Sequence, residues 1–408
     1  MSKKKILFAL SLLLVLAFAL WQIPRVQEAI SWRAEKWTLR IKNRLNPPGP
    51  VPTAIPATPA PTKTPKPATP LPASRTPSMQ HTPTATVTPL PATASLPSPP
   101  YEFQTINNCG PATLSMALHL YGWEGNQDDI AEQIKPVPQD RNVNPEEMAY
   151  YVRNFAGWLN IAYRVGGDLS TLKTLLAANY PVIVESVTSL DPNDALGPTD
   201  DLWAAHYLLL TGYDDDAEVF TVQDSYHGAD LTISYDQLEE EWKPFNNLYM
   251  VIYFPEDEDE LANLLATAWD PDANRERVLA NARQETENNP QDAYAWFNLG
   301  SDLVYFEQYE EAALAYDRAR EIGLPLRMFR YQFGPFWAYF HANRIDELET
   351  LTNYARGVTE MSEETWFWYG WALYRQEDFE GAKAAWEKAR SINPSPYADA
   401  YGALEYVQ

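Results

Sequence analysis

A proline-rich segment divides this 408-residue chain and limits what can fold around it. Residues 46–100 contain 18 of the 34 prolines and eleven threonines, but no Phe, Trp or Tyr. Proline removes backbone hydrogen-bond donors, and the segment has no aromatic side chains to bury, so it cannot build a core of its own. We therefore predict a disordered stalk over residues 46–100, with globular domains over residues 101–408.

The first 23 residues contain a long apolar run behind three lysines at positions 3–5. Eighteen residues of helix rise about 27 Å, which is close to the thickness of a bilayer core. We predict a signal-anchor or transmembrane helix over residues 1–23. The same run also fits a cleavable signal peptide, because residues 17–19 read Ala-Phe-Ala, a small-x-small cleavage site. Secretion is therefore the alternative to anchoring.

A basic amphipathic helix is predicted over residues 24–45, next to the membrane. Apolar residues recur every three or four positions, a period that favours a helix lying on anionic headgroups. They are Val26, Ile30, Ala34, Trp37, Ile41 and Leu45, with Arg33, Lys36, Arg40 and Arg44 on neighbouring faces. An exposed helix without membrane contact is the alternative. The start of the chain resembles an export signal, and together with the stalk it favours globular domains outside the cytoplasm. The six basic residues after the apolar run favour the opposite orientation.

Charge and cysteine content exclude several classes of protein. The first hundred residues hold 12 Lys and Arg and 2 Glu, so residues 101–408 carry −34 while the whole chain carries −24. Such an acidic body repels phosphate backbones, and we expect no nucleic-acid partner. A single cysteine excludes internal disulfides and Cys-rich metal sites. We expect no cofactor and no metal ion, and a monomer.

That single cysteine, Cys109, stands where a nucleophile is favoured. It precedes Gly110, Pro111 and an apolar run, and proline in a first turn predicts that a helix begins here. Free N–H groups and the positive end of the helix dipole favour thiolate over thiol. A thiolate in that place can attack a carbonyl carbon, and nearby donors can hold the oxyanion.

His206 is the best-placed candidate base among the five histidines. It begins an apolar run that predicts a buried strand, and a second strand over residues 219–222 leads to Asp224. A hairpin of these strands would bring Asp224 beside His206, where a carboxylate fixes the imidazole tautomer. His227, in the following turn, is the weaker candidate. His119 lies on the cysteine's own predicted helix, about 15 Å further along, and is out of reach.

The motifs together resemble the C39-like cysteine peptidases, a papain-like group, over about residues 101–255. They are Gln104, Cys109-Gly110-Pro111, His206-Tyr207, Thr211-Gly212-Tyr213-Asp214 and Asp224. The resemblance implies Cys109 as nucleophile and His206 as general base and acid. It also implies Asp224 as the residue that orients His206, and Gln104 as the oxyanion donor. In one departure, Ser225 follows Asp224 where many relatives have proline.

The expected fold class is α+β in this region, with the cysteine-bearing helix packed on a mostly antiparallel sheet. Further helices are predicted from Pro145 through Phe155 and over residues 169–178. Runs rich in β-branched and aromatic residues at 181–187 and 248–254 predict strands.

An all-α repeat domain is predicted over residues 256–408, because two stretches of it match at an offset of 70. Trp296, Gly300, Ala312, Tyr316 and Ala319 recur as Trp366, Gly370, Ala382, Trp386 and Ala389. Seventy is two periods of about 35, close to the length of a tetratricopeptide repeat, and the motifs resemble that family. We expect the small residues to mark close helix approaches and the aromatic residues to fill the core.

These patterns predict a membrane-tethered, extracytoplasmic thiol peptidase that cleaves peptide bonds through a Cys-His-Asp triad. Its repeat tail would bind a protein or peptide. The alternative is a catalytically inactive C39-like domain that acts as a binding module on the stalk.

Overall fold

The computed structural model describes residues 24–45, 47, 49–55, 89–190, 201–395 and 400–407. The predicted signal-anchor at residues 1–23 and most of the predicted stalk lie outside these residues. A helix runs Pro24–Leu45, over the stretch where helical periodicity is predicted. Among the described residues, no helix combines the length and the apolar character that crossing a bilayer requires.

A seven-stranded antiparallel sheet forms the centre of the first globular domain. Six strands follow one another in the order β2-β7-β3-β4-β5-β6, and β1 pairs with β4. The strands are β1 (Thr93–Ser95), β2 (Asn160–Arg164), β3 (Val182–Ser189), β4 (Trp203–Asp214), β5 (Val219–Asp224), β6 (Gly228–Ser234) and β7 (Tyr249–Tyr253). The prediction of helices on a mostly antiparallel sheet is confirmed.

Four of the five helices of this domain begin at recognisable caps, and the cysteine-bearing helix has no side-chain cap. The helices are Cys109–His119, Gln127–Ile134, Pro145–Phe155, Leu169–Ala177 and Tyr235–Trp242. Asn144 and Glu147 form a capping box at the start of Pro145–Phe155, and the Asp168 side chain accepts from Thr171 N at the start of Leu169–Ala177. Such caps satisfy backbone N–H groups that lack a partner within the helix.

The sheet extends into the segment predicted as stalk. β1 pairs with the end of β4 where β3 no longer covers it, and Gly212 permits the close approach. A Cβ on Gly212 would lie 2.6 Å from the carbonyl oxygen of Ala94. Leu96 follows β1 and is buried. The folded domain therefore starts before residue 101, because unpaired backbone groups of β4 are completed by residues 93–95.

The second domain is helical, as predicted. Its helices are Glu258–Leu265, Pro271–Asn288, Ala293–Tyr305, Tyr309–Ile322, Gly334–His341, Ile345–Val358, Glu363–Arg375, Phe379–Ile392 and Ala400–Ala403. The two glycines that recur at an offset of 70 mark close helix approaches. A Cβ on Gly300 would lie 2.7 Å from the ring of Tyr316, and one on Gly370 would lie 2.3 Å from Trp386.

Buried polar contacts join the two domains. The Asn393 side chain donates to Ile134 O at 3.0 Å, and the Asn144 side chain donates to a Glu364 oxygen at 2.8 Å. Arg327 donates to Trp203 O at 2.5 Å. Arg330 donates to Arg141 O at 3.3 Å, close to the loop that precedes Cys109.

Candidate active site

Cys109 is the first residue of its helix, and the helix is held firmly against the sheet. Every residue from Gly110 to Leu118 is buried, whereas Cys109 itself is only half-buried. The Thr113 hydroxyl donates to Tyr207 O on β4 at 3.1 Å. The sulfur therefore lies at a helix amino terminus that is fixed beside the strand carrying His206.

His206 lies between Cys109 and Asp224. Its Nε2 is 2.7 Å from Asp224 Oδ1, and both side chains are buried. The Cys109 thiol lies close enough to the His206 ring for each side chain to shift the pKa of the other. Because Asp224 occupies Nε2, Nδ1 is the ring nitrogen left to face the sulfur. The antiparallel pairing of β4 and β5 brings together two residues that are 18 positions apart.

The electrostatics of this trio favour an ion pair. Burial raises the pKa of Cys109, but hydrogen bonds from His206 and backbone N–H groups, with the charge of His206, bring it below its ordinary value. Burial lowers the pKa of His206, but Asp224 and Cys109 outweigh it and raise that pKa to about 9. Burial opposes ionisation of Asp224 too, yet its hydrogen bonds to His206 and His227 hold its pKa well below the usual range.

Asp224 has a second histidine partner. His227 Nδ1 is 2.7 Å from Asp224 Oδ2, and the backbone N–H groups of Tyr226 and His227 donate to Oδ1. The His227 side chain is 44 % exposed, whereas that of Asp224 is 10 % exposed. His227 therefore supports the carboxylate from the solvent side and does not replace His206. Its spacing of three residues after Asp224, within a turn, is the sequence signal for this contact.

Gln104 lies beside the trio and is anchored by Ser225. Its backbone N–H donates to Ser225 O at 2.8 Å, and its Oε1 accepts from the Ser225 hydroxyl at 2.9 Å. Within the described part of the chain, Gln104 Nε2 has no acceptor. The side-chain amide of Gln104 is thus held through its oxygen, and its N–H groups can donate hydrogen bonds to a bound molecule. Ser225, noted only as a departure from the family pattern, is the residue that sequence reasoning missed here.

Glu185 on β3 is a further acid close to Cys109 that the sequence did not single out. It is 5 % exposed and pairs in register with Tyr207. Burial, together with the charges of Cys109 and Glu146, raises its pKa well above the usual range. The raised pKa disfavours a negative charge on this carboxyl group beside Cys109.

Two other features lie apart from this trio. His119 Nε2 is 2.8 Å from Gly125 O, in keeping with its exclusion as a base. A cavity of about 530 Å³ borders β2 and is lined by Arg153, Arg164, Tyr253 and Trp269, among others, but by none of the candidate catalytic residues.

Sequence comparison identifies two regions of the chain. Residues 97–250 match the model of the Peptidase_C39 like family. We call this matched region the C39-like domain. Residues 363–396 match the model of the tetratricopeptide repeat, within the second, helical domain. No curated protein matches the chain. The match begins at residue 97, four residues before the predicted domain start at residue 101, and β1 and Leu96 lie directly before it.

Solved structures show low similarity to the chain. A C39-like peptidase from Bacillus anthracis is 15 % identical, with a TM-score of 0.31, over 39 % of this chain and 96 % of that one. The peptidase domain of Streptococcus ComA, a bifunctional ABC transporter of a quorum-sensing pathway, is 16 % identical, with a TM-score of 0.28, over 38 % and 98 %. A MamA RS-1 double mutant is 12 % identical, with a TM-score of 0.31, over 37 % and 82 %.

Proposed function

We propose that this protein is a thiol peptidase whose nucleophile is Cys109. The observation that carries the proposal is the single imidazole of His206, which bonds to Asp224 through Nε2 and lies close enough to the Cys109 thiol to lower its pKa. An ion pair of thiolate and imidazolium supplies a nucleophile and an acid together. The match of residues 97–250 to a peptidase family supports the same chemistry.

The reaction follows from these groups. The Cys109 thiolate attacks the carbonyl carbon of a peptide bond, and the C=O π electrons move to oxygen. The amide group of Gln104 and the backbone N–H at the helix start stabilise that oxyanion. His206 gives its proton to the amine nitrogen as the C–N bond breaks, which leaves a thioester. Water then attacks the thioester, His206 takes its proton, and the carboxylic acid leaves as the thiolate is restored.

Probe labelling of the full-length chain tests this proposal without knowledge of the substrate. At neutral pH we expect an iodoacetamide or acyl-type probe to label Cys109 faster than a free thiol. His206→Ala should slow labelling and abolish cleavage of a peptide library, whereas His341→Ala, in the helical domain, should change neither. The full chain is required because Arg330, in the helical domain, donates to Asn107 Oδ1, two residues before Cys109, at 3.5 Å.

Two results would contradict the peptidase proposal. One is labelling of Cys109 no faster than that of a free thiol. The other is a Cys109→Ala variant that retains every partner and every cellular effect of the wild type. The latter result would favour the alternative of an inactive C39-like binding module.

We also propose that the chain is anchored in a membrane, with its globular domains outside the cytoplasm. The apolar run at residues 1–23 supports an anchor. The helix Pro24–Leu45 that follows exposes Trp37, Ile41 and Leu45 by 54, 53 and 74 %. In right-side-out membrane vesicles, added protease should digest the globular domains, and alkaline carbonate should not extract the chain. Full protection, or release by carbonate, would contradict this topology.

The helical domain is proposed to bind a protein or peptide. Its tetratricopeptide match supports a role in protein interaction, because stacked helical repeats present long continuous surfaces.

A further inference from the structure

A short piece of the proline-rich segment, residues 51–55, lies against the helical domain. Val51 is 7 % exposed and belongs to the apolar core of that domain. Arg320 donates from two of its nitrogens to Pro52 O, at 3.0 and 2.6 Å. The Ile55 N–H donates to Glu347 Oε2 at 2.9 Å, and Arg344 donates to Ile55 O at 3.3 Å.

The receiving side chains form one connected polar network, which we call the stalk site: Asp317, Arg320, Tyr339, Arg344 and Glu347. Arg320 and Glu347 form an ion pair, and their side chains are 0 and 2 % exposed. The Tyr339 hydroxyl accepts from Arg320 and donates to Asp317 Oδ1, at 2.9 Å each. Arg344 makes two contacts with Asp317, at 2.6 and 3.0 Å. Residues 51–55 complete the hydrogen bonding of this network.

The contacts use the backbone of the segment. They involve the carbonyl of Pro52 and both backbone groups of Ile55, three residues later. Val51 and Ile55 each precede a proline, which biases them to extended conformations. A polyproline II helix has three residues per turn, so positions i and i+3 face the same side. An extended, proline-containing strand therefore presents the groups that this network binds.

We propose that the stalk site is a peptide-binding site for extended, proline-containing segments and that residues 51–55 of this chain occupy it in cis. Because residues 56–88 connect the ligand covalently to its site, even weak binding keeps the site filled. Docking holds the helix Pro24–Leu45 close to the helical domain. A competing segment with the same spacing must displace residues 51–55 before it can bind.

Amide exchange in the full-length chain tests the cis contact directly. The Ile55 N–H is bound to Glu347, whereas Thr53 is exposed and its N–H makes no hydrogen bond among the described residues. We expect Ile55 to exchange at least about tenfold more slowly than Thr53, and Val51→Asp to abolish this difference. Equal exchange at Ile55 and Thr53 in the wild type would overturn the proposal.

A labelled peptide of residues 49–56 tests whether the site is a receptor. Ile55→Pro removes the N–H that Glu347 binds, whereas Thr53→Pro is a matched control that adds the same ring at an uncontacted N–H. The peptide should bind the Ile55→Pro chain about tenfold more tightly than it binds the wild type or the Thr53→Pro chain, because the cis ligand is weakened. Equal affinity for all three chains would overturn the proposal.

A second peptide supplies a specificity control from the same chain. In a peptide of residues 60–65, residues 61–65 repeat the Pro-Thr-x-x-Pro pattern of residues 52–56, and Ala60 stands where Val51 stands in the docked segment. This peptide should bind the Ile55→Pro chain several-fold more weakly than the 49–56 peptide, because alanine buries less apolar surface. Equal binding of the two peptides would contradict the role of Val51 as the apolar anchor.

Discussion

At the scale of single residues, the candidate site depends on which partner each side chain has. Asp224 uses one oxygen for His206 and the other for His227, so its charge is compensated on both sides. That arrangement keeps the imidazolium of His206 stable beside the Cys109 thiolate. The pH range of the ion pair follows from the two pKa shifts.

The first prediction concerns this pH range. The thiolate of Cys109 should form below the ordinary pKa of a thiol, about 8.5, because His206 lowers that pKa. The imidazolium persists until the pH passes about 9. Peptide cleavage should therefore have an acid limb below the ordinary thiol pKa and a basic limb near pH 9. The absorbance of the thiolate, which only Cys109 can produce, measures the ionisation of the thiol.

His206→Ala provides the control for the pH prediction. Without the imidazolium, only backbone N–H groups oppose the effect of burial on the thiol, and the thiolate signal should move to higher pH. A thiolate titration that is the same in wild type and His206→Ala would contradict the ion pair.

The second prediction concerns Ser225 as a positioning residue. Removing its hydroxyl in Ser225→Ala frees the Gln104 amide, so kcat should fall about tenfold with little change in KM. Alkylation of Cys109 by iodoacetamide forms no oxyanion, so its rate should not change. Gln104→Ala should lower kcat at least as far. Slower alkylation of the Ser225→Ala variant would indicate a general disturbance of the fold.

At the scale of helices and strands, local sequence patterns determine where an element begins, and contacts between elements determine how closely they pack. Pro111 sets the start of the cysteine-bearing helix, while Gly212 admits β1 at the edge of β4. In the helical domain, Gly300 and Gly370 occupy equivalent positions where an aromatic ring of the next helix comes close. The offset of 70 residues thus reflects a repeated packing requirement.

The third prediction tests that requirement. A Cβ at position 370 would lie 2.3 Å from Trp386 Nε1, and Trp386 is fully buried. Gly370→Ala should therefore lower the free energy of unfolding by about 1–3 kcal/mol. Gly357→Ala is the matched control, since a Cβ there meets nothing within 4 Å and alanine favours the helix by about 0.5–1 kcal/mol. Urea denaturation measures both; equal effects would contradict the packing argument.

At the scale of the whole molecule, the two domains are joined through a cluster of four acids, three of them buried. Asp140 and Glu147 come from the C39-like domain, and Glu363 and Glu364 come from the helical domain. Asn393 donates to both Glu147 and Glu363, at 3.3 and 3.1 Å. Burial, followed by the charges of the neighbouring acids, raises the pKa of Glu363 well above its usual range. Glu363, at the contact between the domains, therefore binds a proton over a pH range in which the same side chain of the unfolded chain is ionised.

The fourth prediction follows from this linkage. The stability contributed by a proton on Glu363 is complete below the unfolded pKa of about 4.3 and is lost as the pH rises through the higher folded pKa. Glu363→Gln removes that loss, so it should raise the melting temperature by about 2–4 °C at pH 8 and by less at pH 5.5. Glu380→Gln, at an exposed position of the same domain, is the matched control and should change the melting temperature less than Glu363→Gln does. A Glu363→Gln shift that is equal at both pH values would contradict the linkage.

Much of the architecture could be predicted from the sequence, because it depends on local patterns. Helix caps, apolar strand runs and the 70-residue offset predicted the α+β domain and the helical repeats, and the fold confirms both. The pairing of His206 with Asp224 could also be predicted, because one hairpin connects the two residues. The catalytic roles of Gln104, Cys109, His206 and Asp224 remain predictions.

The tertiary structure decided what depends on contacts between distant parts of the chain. Ser225 anchors Gln104 across 121 residues, and Arg320 binds the carbonyl of Pro52 across 268. The composition predicts a stalk over all of residues 46–100. In the structure, residues 51–55 contact the helical domain and residues 93–95 complete the sheet. Composition shows that such a segment cannot form a core alone, but not that another domain supplies partners for its backbone.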